Sequence, residues 1–243
     1  MRLVTHSTHN WLPNIRRYLD SLAEHWRFET WLLTVGFTAA DEFLAAWPRL
    51  LSAHVPQVEG APETTYSLQH GAWLEYVPGQ PFDLDIYTDG DIVMQRAPSE
   101  DELNLLWRID YGEVLLAWNS GPTETLAVEA HRLQPREDPE ARFGKIIYTR
   151  QCYNIGVVAA RRETWAQIHA LYLTRYADAL AVFGGPQRQQ WLVCWAIGEL
   201  GLHPVIAPYA FHAHGCYALP PNVRLEGGEL RADGQAVLFS HHL

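Results

Sequence analysis

Two Asp-x-Asp patterns lie close together, Asp83-Leu84-Asp85 and Asp89-Gly90-Asp91. A chain of this length carries about one such pattern by chance, so position has to separate them. Leu84-Asp85-Ile86-Tyr87-Thr88 predicts a strand and Ile92-Val93-Met94 a second. Asp83 and Asp85 therefore precede or open a strand. Asp89 and Asp91 follow its carboxyl end, where open α/β sheets bind ligands. Gly90 lets the backbone turn tightly, so that both carboxylates face one cation. Two hard oxygen ligands suit Mg²⁺ or Mn²⁺ held together with substrate phosphates. A calcium-loop reading fails on register. With Gly90 as the loop glycine, Tyr87 stands where an acid belongs and Arg96 where the bidentate Glu belongs. The bland alternative is a solvated turn between two strands.

The elements around this turn set its context. Arg2 to Thr5 predicts a short strand, followed by the polar turn His6-Ser7-Thr8-His9-Asn10. From Trp11 to His25 the apolar positions Ile15, Leu19 and Leu22 fall at helical spacing, and Pro13 sits where a first turn tolerates it. Thr30 to Val35 predicts a second strand, and Asp41 to Leu51 a helix. This opening has the grammar of a parallel sheet with crossovers. Ser52 to Thr65 predicts a loop, and Ser67 caps a helix through Tyr76. Pro98-Ser99 and the acids that follow start another helix to about Trp107. Glu113 to Trp118 predicts a strand, and Thr123 caps a helix through about Leu133. Lys145 to Tyr148 and Ile155 to Ala160 predict strands. Long helical patterns run from Glu163 to about Leu180 and from Gln189 to about Leu200, and the tail predicts short strands and turns. No linker separates the halves. The expectation is one α/β domain over 1–243, with a nucleotide- and metal-binding half, 1–95, and an acceptor-side half, 96–243.

Composition narrows the class. The chain has 243 residues, 48% hydrophobic, enough for a substantial core. No apolar run approaches the length of a membrane span, and the N-terminus turns polar too early for a signal peptide. Formal net charge is -10, without the clustered cations of a nucleic-acid surface. Cys152, Cys194 and Cys216 form no CxxC pair, which suits a reducing compartment, so the cytoplasm is the expected location.

The run Tyr87-Thr88-Asp89-Gly90-Asp91-Ile92-Val93 is similar to the strand–DxD–strand element of glycosyltransferases with the GT-A fold. Further motifs follow in that family's order. Tyr153-Asn154-Ile155-Gly156-Val157-Val158 resembles its "Phe-Asn-Ser-Gly-Val" element. Gln189-Gln190 opens a helix where glycogenin-like and galactosyltransferase-like members carry Asp-Gln, and a His closes the chain on an apolar strand where they place a third metal ligand. The resemblance covers most of the chain and implies a Rossmann-like, mostly parallel mixed sheet flanked by helices. It implies transfer of a sugar from a nucleotide diphosphate, UDP favoured, to an acceptor whose nature stays open. Metal ligands would be Asp89, Asp91 and His241, with His242 as the neighbouring alternative. Thr5, His6, Ser7, Asp89 and Asn154 would bind the donor, and Gln189 and Gln190 would join Asp89 and Asp91 as catalytic residues. Gln189 departs from the pattern, because the donor-sugar contact there is usually made by a carboxylate. Ile155 replaces a small polar residue.

The implied chemistry is neutralisation of a leaving diphosphate by Mn²⁺ or Mg²⁺. An inverting enzyme also needs a carboxylate base on the acceptor hydroxyl. Glu137-Asp138 is the acidic pair in the expected interval, and its setting is that of an exposed loop. A retaining enzyme needs no such base, and the members this chain resembles are retaining, so the resemblance implies retention as the expectation. Gln69-His70-Gly71 reads as a donor contact or a plain helix start. His212, His214 and Cys216 share one face if their segment is a strand, which suits Zn²⁺ or, more simply, the lining of an acceptor site. Rival functions are a non-catalytic nucleotide- or sugar-binding module, a sugar nucleotidyltransferase and a metal-dependent hydrolase. The nucleotidyltransferase wants a Gly-rich cationic loop after the first strand, and the sole lysine here is Lys145.

Overall fold

In a computed structural model, strand β1 (Arg2–Thr8) sits mid-sheet and runs parallel to β2 (Glu29–Val35) on one side and β4 (Leu84–Thr88) on the other. The structure describes residues 1–47, 49–56, 71–119, 121–184, 189–214 and 222–241. With β3 (Leu50–Val55), β6 (Glu113–Trp118), β7 (Tyr153–Arg161) and β8 (His203–Ile206), these strands form a seven-stranded sheet in the order β3-β2-β1-β4-β7-β6-β8. Only β7 runs against its neighbours, pairing antiparallel with β4 and β6.

Both faces of this sheet are apolar, and alternation along the strands feeds two cores. Leu3 and Leu115 enter one core with Ile15, Leu19 and Leu22 of helix α1 (Leu12–His25). Val4, Val114 and Leu116 enter the other, with Trp165 and Ile168 of α6 (Arg162–Phe183) and Trp191 and Trp195 of α7 (Gln189–Glu199). Burial on both faces is the signature of a doubly covered sheet. The shorter helices are α2 (Asp41–Ala45), α3 (Glu100–Trp107), α4 (Leu126–Arg132) and α5 (Pro139–Phe143). Ser99 caps α3 through a reciprocal box. Its Oγ accepts from Glu102 N–H at 3.3 Å, and its own N–H donates to Glu102 Oε2 at 2.8 Å.

Two smaller sheets complete the chain. β13 (Phe239–His241) lies between β5 (Ile92–Met94) and β9 (His212–His214), antiparallel to the first and parallel to the second. β10 (Val223–Glu226), β11 (Glu229–Ala232) and β12 (Gln235–Ala236) form an antiparallel meander.

Several sequence expectations are corrected. β1 continues to Thr8 because every residue from Arg2 to Thr8 pairs with β2, so the turn begins only at His9–Trp11, a single 3₁₀ turn. The helix expected over 41–51 ends at Ala45, and Leu50–Val55 is an edge strand beside β2. Lys145–Tyr148 is a 3₁₀ turn that buries only Ile147. Thr125 rather than Thr123 caps α4, accepting from Val128 N–H. Of the helix expected over 67–76, residues 72–75 form a 3₁₀ turn, and 67–70 lie outside the described residues.

Candidate metal and donor site

The parallel pairing of β1 with β4 and the antiparallel pairing of β4 with β7 place the end of β1, the turn after β4 and the start of β7 along one edge of the sheet. Asp89 and Asp91 stand on that turn. β13 then brings His241 alongside, because His241 pairs with Ile92, the residue after Asp91. His241 Nε2 lies 3.0 Å from Asp91 Oδ1 and 3.8 Å from Asp89 Oδ2. One ligand atom from each of the three lies within 4.8 Å of the others. The carboxylates are partly open to solvent and the imidazole is 5% exposed, so the cluster is a floor with an open side.

Two carboxylates and one imidazole fit a divalent cation such as Mg²⁺ or Mn²⁺. Burial pulls the His241 imidazole down in pKa. The hydrogen bond to Asp91 and the charges of Asp89 and Asp91 outweigh burial and hold it above its ordinary value. An opposite charge that stabilises a bound proton also suits a bound cation at the same place.

The Asn154-Ile155-Gly156 element is the frame of this cluster. Asn154 Oδ1 accepts from Gly156 N–H at 2.8 Å, and Gly156 C=O accepts from Asp89 N–H at 2.9 Å. The Cα of Gly156 faces His241 so closely that an added Cβ would lie 2.6 Å from Nδ1 and 2.8 Å from Cε1. The His212 ring also stacks against His241, centroids 6.1 Å apart. The imidazole thus has a glycine and a second histidine as close neighbours. The reason for Gly90 also differs from the sequence expectation. Its φ is not in the left-handed region. It is needed for close approach instead, since a Cβ there would meet His6 C=O at 2.8 Å and Ile15 Cδ1 at 3.2 Å.

Thr5 and Ser7 are buried within β1, Thr5 fully. Ser7 Oγ donates to Thr8 C=O. His6 stacks on Tyr87, and its Nδ1 is 2.6 Å from Tyr87 Oη. Burial pushes the His6 imidazole down to about 4, against the raising influence of Asp91, so the ring is neutral around pH 7. Tyr18 of α1 bonds Thr88 Oγ1 at 2.7 Å and ties the helix to the end of β4. Gln189 and Gln190 open α7, where Gln190 Nε2 reaches Cys152 Sγ at 4.0 Å. Cys152 is two residues from Asn154, so the start of α7 neighbours the glycine element. Gln189 is buried, and its Nε2 has no hydrogen-bond partner among the described residues.

The rejected acidic pair has structural work. Asp85 is fully buried, with Arg2 Nε 2.5 Å and an Arg162 nitrogen 3.6 Å away, and Asp83 pairs with Arg161 at 2.9 Å. Glu137 pairs with Arg142, and Asp138 caps α5. Gln69, His70, Cys216, His242 and the side chain of His214 lie outside the described residues.

Sequence reasoning missed one residue. Trp11 closes the 3₁₀ turn after β1 and is 49% exposed. With Asn14 and Arg17 of α1, and with Asp91, Ile92, Val93 and Ser240, it lines a cavity of about 270 Å³. The available signal was a large aromatic immediately after the polar end of the first strand.

No protein-family model matches the sequence, and no curated protein matches it. Solved structures do match in fold. The galactosyltransferase LgtC in complex with donor and acceptor sugar analogues is similar at a TM-score of 0.58 and 15% identity, over 100% of this chain and 87% of that one. An active-site mutant of LgtC gives the same values. Mouse xyloside xylosyltransferase 1, in its apo form, gives a TM-score of 0.60 at 15% identity, over 99% of this chain and 96% of that one. Among the described residues no helix is long and apolar enough to cross a bilayer. With its mostly parallel sheet, the turn after β4 and the strand that returns His241 to it, the chain has the GT-A glycosyltransferase fold.

Proposed function

We propose that this chain is a metal-dependent glycosyltransferase that moves a sugar from a nucleotide diphosphate, UDP favoured, to an acceptor. The observation that carries this reading is the meeting of Asp89, Asp91 and His241 at the ligand-binding edge of the sheet. The two carboxylates come from the turn between β4 and β5 and the imidazole from β13, 150 positions beyond Asp91, and together they form one oxygen–nitrogen ligand set. The similarity in fold to LgtC and xyloside xylosyltransferase 1 supports the same reading.

Mn²⁺ or Mg²⁺ held there would act as a Lewis acid on the two phosphates of the donor, stabilising the charge that develops as they leave. Asp91 and His241 would hold the ion directly, and Asp89 would hold it partly through water or share itself with the ribose. His6, neutral and anchored on Tyr87, would face the nucleoside, and Trp11 would offer its exposed face to the base. Asn154 would act on the donor side by fixing Gly156. Gln189 and Gln190 would contact the transferred sugar from the start of α7, Gln189 through an amide nitrogen that has no partner among the described residues. Residues 1–95 would bind nucleotide and metal, and 96–243 would shape the acceptor side, with its C-terminal tail returning His241 to the metal. Retention of anomeric configuration is the stereochemical reading. Glu137 and Asp138 are committed to Arg142 and to a helix cap, which takes the one candidate base pair out of play.

The test is turnover of a UDP-sugar panel with Mn²⁺. The proposal expects slow release of UDP without acceptor, faster release with a suitable glycan or glycoside, and loss of both in Asp91→Asn. Proton NMR of the product would show the donor's anomeric configuration. Equal turnover with and without every acceptor would make the protein a hydrolase, and turnover unaffected by Asp91→Asn would remove the metal site from the mechanism.

A further inference from the structure

The face of α1 that looks toward β5 carries a cation, Arg17, with no ion pair among the described residues. Trp11, Asn14, Arg17 and Ser21 recur every three or four residues and so lie on one stripe. Ser21 pins that stripe to the small sheet, its Oγ accepting from Met94 N–H at 3.0 Å. Above this anchor the stripe opens into the cavity of about 270 Å³ whose opposite wall is Asp91, Ile92, Val93 and Ser240. Arg17 is the one cationic side chain among the described residues that line it. Its neighbour Arg16 rests over the Phe43 ring.

The charge balance of the site calls for such a group. Asp89 and Asp91 match the two positive charges of a divalent ion, which leaves a bound diphosphate without a counter-charge from those ligands. The chain is poor in cations, with 18 Lys and Arg against 28 Asp and Glu. A guanidinium suits this role, since its planar fork fits phosphate oxygens and is always protonated.

We propose that Arg17 is the protein's own cation for the donor diphosphate, binding a non-bridging phosphate oxygen beside the metal held by Asp91. The inference rests on the proposed donor site and adds to it a residue that distinguishes diphosphates from monophosphates. Trp11 takes the flat end of the nucleotide, the metal takes the phosphates from one side, and Arg17 takes them from the helix.

The test is calorimetric titration with Mn²⁺ present, using UDP, inorganic pyrophosphate and UMP as probes. Arg17→Gln should weaken UDP and pyrophosphate about 10- to 100-fold, the range of a lost charge-assisted bond, and UMP by less than about threefold. Arg17→Lys should recover part of the loss, and Arg16→Gln should bind all three as the unaltered protein does. Arg17 lies on the surface of α1, so folding is checked simply by an unchanged melting temperature without ligand. Diphosphate affinity unchanged in Arg17→Gln, or an equal loss of UMP, would overturn the assignment of Arg17 while leaving the donor site standing. Failure of the unaltered protein to bind UDP or pyrophosphate with Mn²⁺ would overturn the donor site and this assignment together.

Discussion

Gly156→Ala adds one methyl group where the metal ligand is held. Gly156 does not need its glycine for backbone freedom, because its φ lies outside the left-handed region. It needs it for space. The new Cβ would lie 2.6 Å from His241 Nδ1, and ordinary contact begins near 3.4 Å, so the ring must retreat by 3.4 − 2.6 = 0.8 Å. The room for that retreat is restricted by the His212 ring, which already stacks on His241. Asn154 Oδ1, 2.9 Å from the same Cβ, cannot give way without losing its bond to Gly156 N–H. Metal sites tolerate ligand displacements of about 0.2 Å, and disturbing the groups that orient a ligand typically costs about 10- to 100-fold in affinity. Mn²⁺ affinity should therefore fall by that factor, while overpacking lowers metal-free stability by about 1–3 kcal/mol. The assay is Mn²⁺ titration by calorimetry, with thermal melts of the metal-free protein. A His241→Ala background supplies the control, because the nearest clash partner is then gone and only Asn154 Oδ1 remains, so Gly156→Ala should cost less further stability than it does beside His241. Unchanged Mn²⁺ affinity in Gly156→Ala, or a stability loss that persists in full beside His241→Ala, would refute the reasoning.

Trp11→Ala should weaken Mn²⁺-dependent UDP binding roughly 5- to 100-fold, the worth of one base–aromatic stack, while Mn²⁺ binding itself stays constant. Trp11→Phe should recover part of it, and equal affinities across the three proteins would contradict the placement of the base. The buried pair Glu124 and Glu129 should impose a pH dependence on stability. Burial first, and then the hydrogen bond to and charge of Glu124, push the Glu129 carboxyl up to about 7, against the pull of Arg132. Since that folded value lies above the ordinary 4.5, the group's contribution is fully present below pH 4.5 and is lost as pH rises through about 7. Melting temperature should fall across that window and flatten in Glu129→Gln; parallel curves for the two proteins would contradict the raised Glu129 carboxyl.

The grouping of Asp89, Asp91 and His241 was legible because it depends on order along the chain. Asp89 and Asp91 follow a strand, and the strand identifies its own ligand-binding end. The structure adds the reason for the second motif, since Asn154 and Gly156 tie the start of β7 to Asp89 and make room for His241. What the sequence concealed depends on pairing and exposure. Thr5 to Thr8 looks like strand end and turn, yet full pairing with β2 keeps the backbone extended to Thr8. Leu50–Val55 carries little alternation because it is an edge strand, and β2 supplies the reason for its conformation. Lys145-Ile146-Ile147-Tyr148 has strand propensity, but Gly144 at φ 75° precedes it and no strand partners it among the described residues. Trp11 is invisible as a ligand platform until the cavity beside it is seen, because composition alone assigns tryptophans to cores. Trp73, Trp165 and Trp191, all fully buried, follow that rule.

The central claim, that Asp89, Asp91 and His241 hold a metal that in turn holds a nucleotide diphosphate, is tested most directly by a thermal-shift panel. Each common nucleoside diphosphate is added with Mn²⁺ and with a chelator in its place. Binding to the folded state raises the melting temperature, by an amount that grows with the logarithm of ligand concentration over its dissociation constant. The account predicts stabilisation by one diphosphate, UDP foremost, only when Mn²⁺ is present, and none in Asp91→Asn. Stabilisation that survives the chelator, or no response to any diphosphate with Mn²⁺, would contradict it.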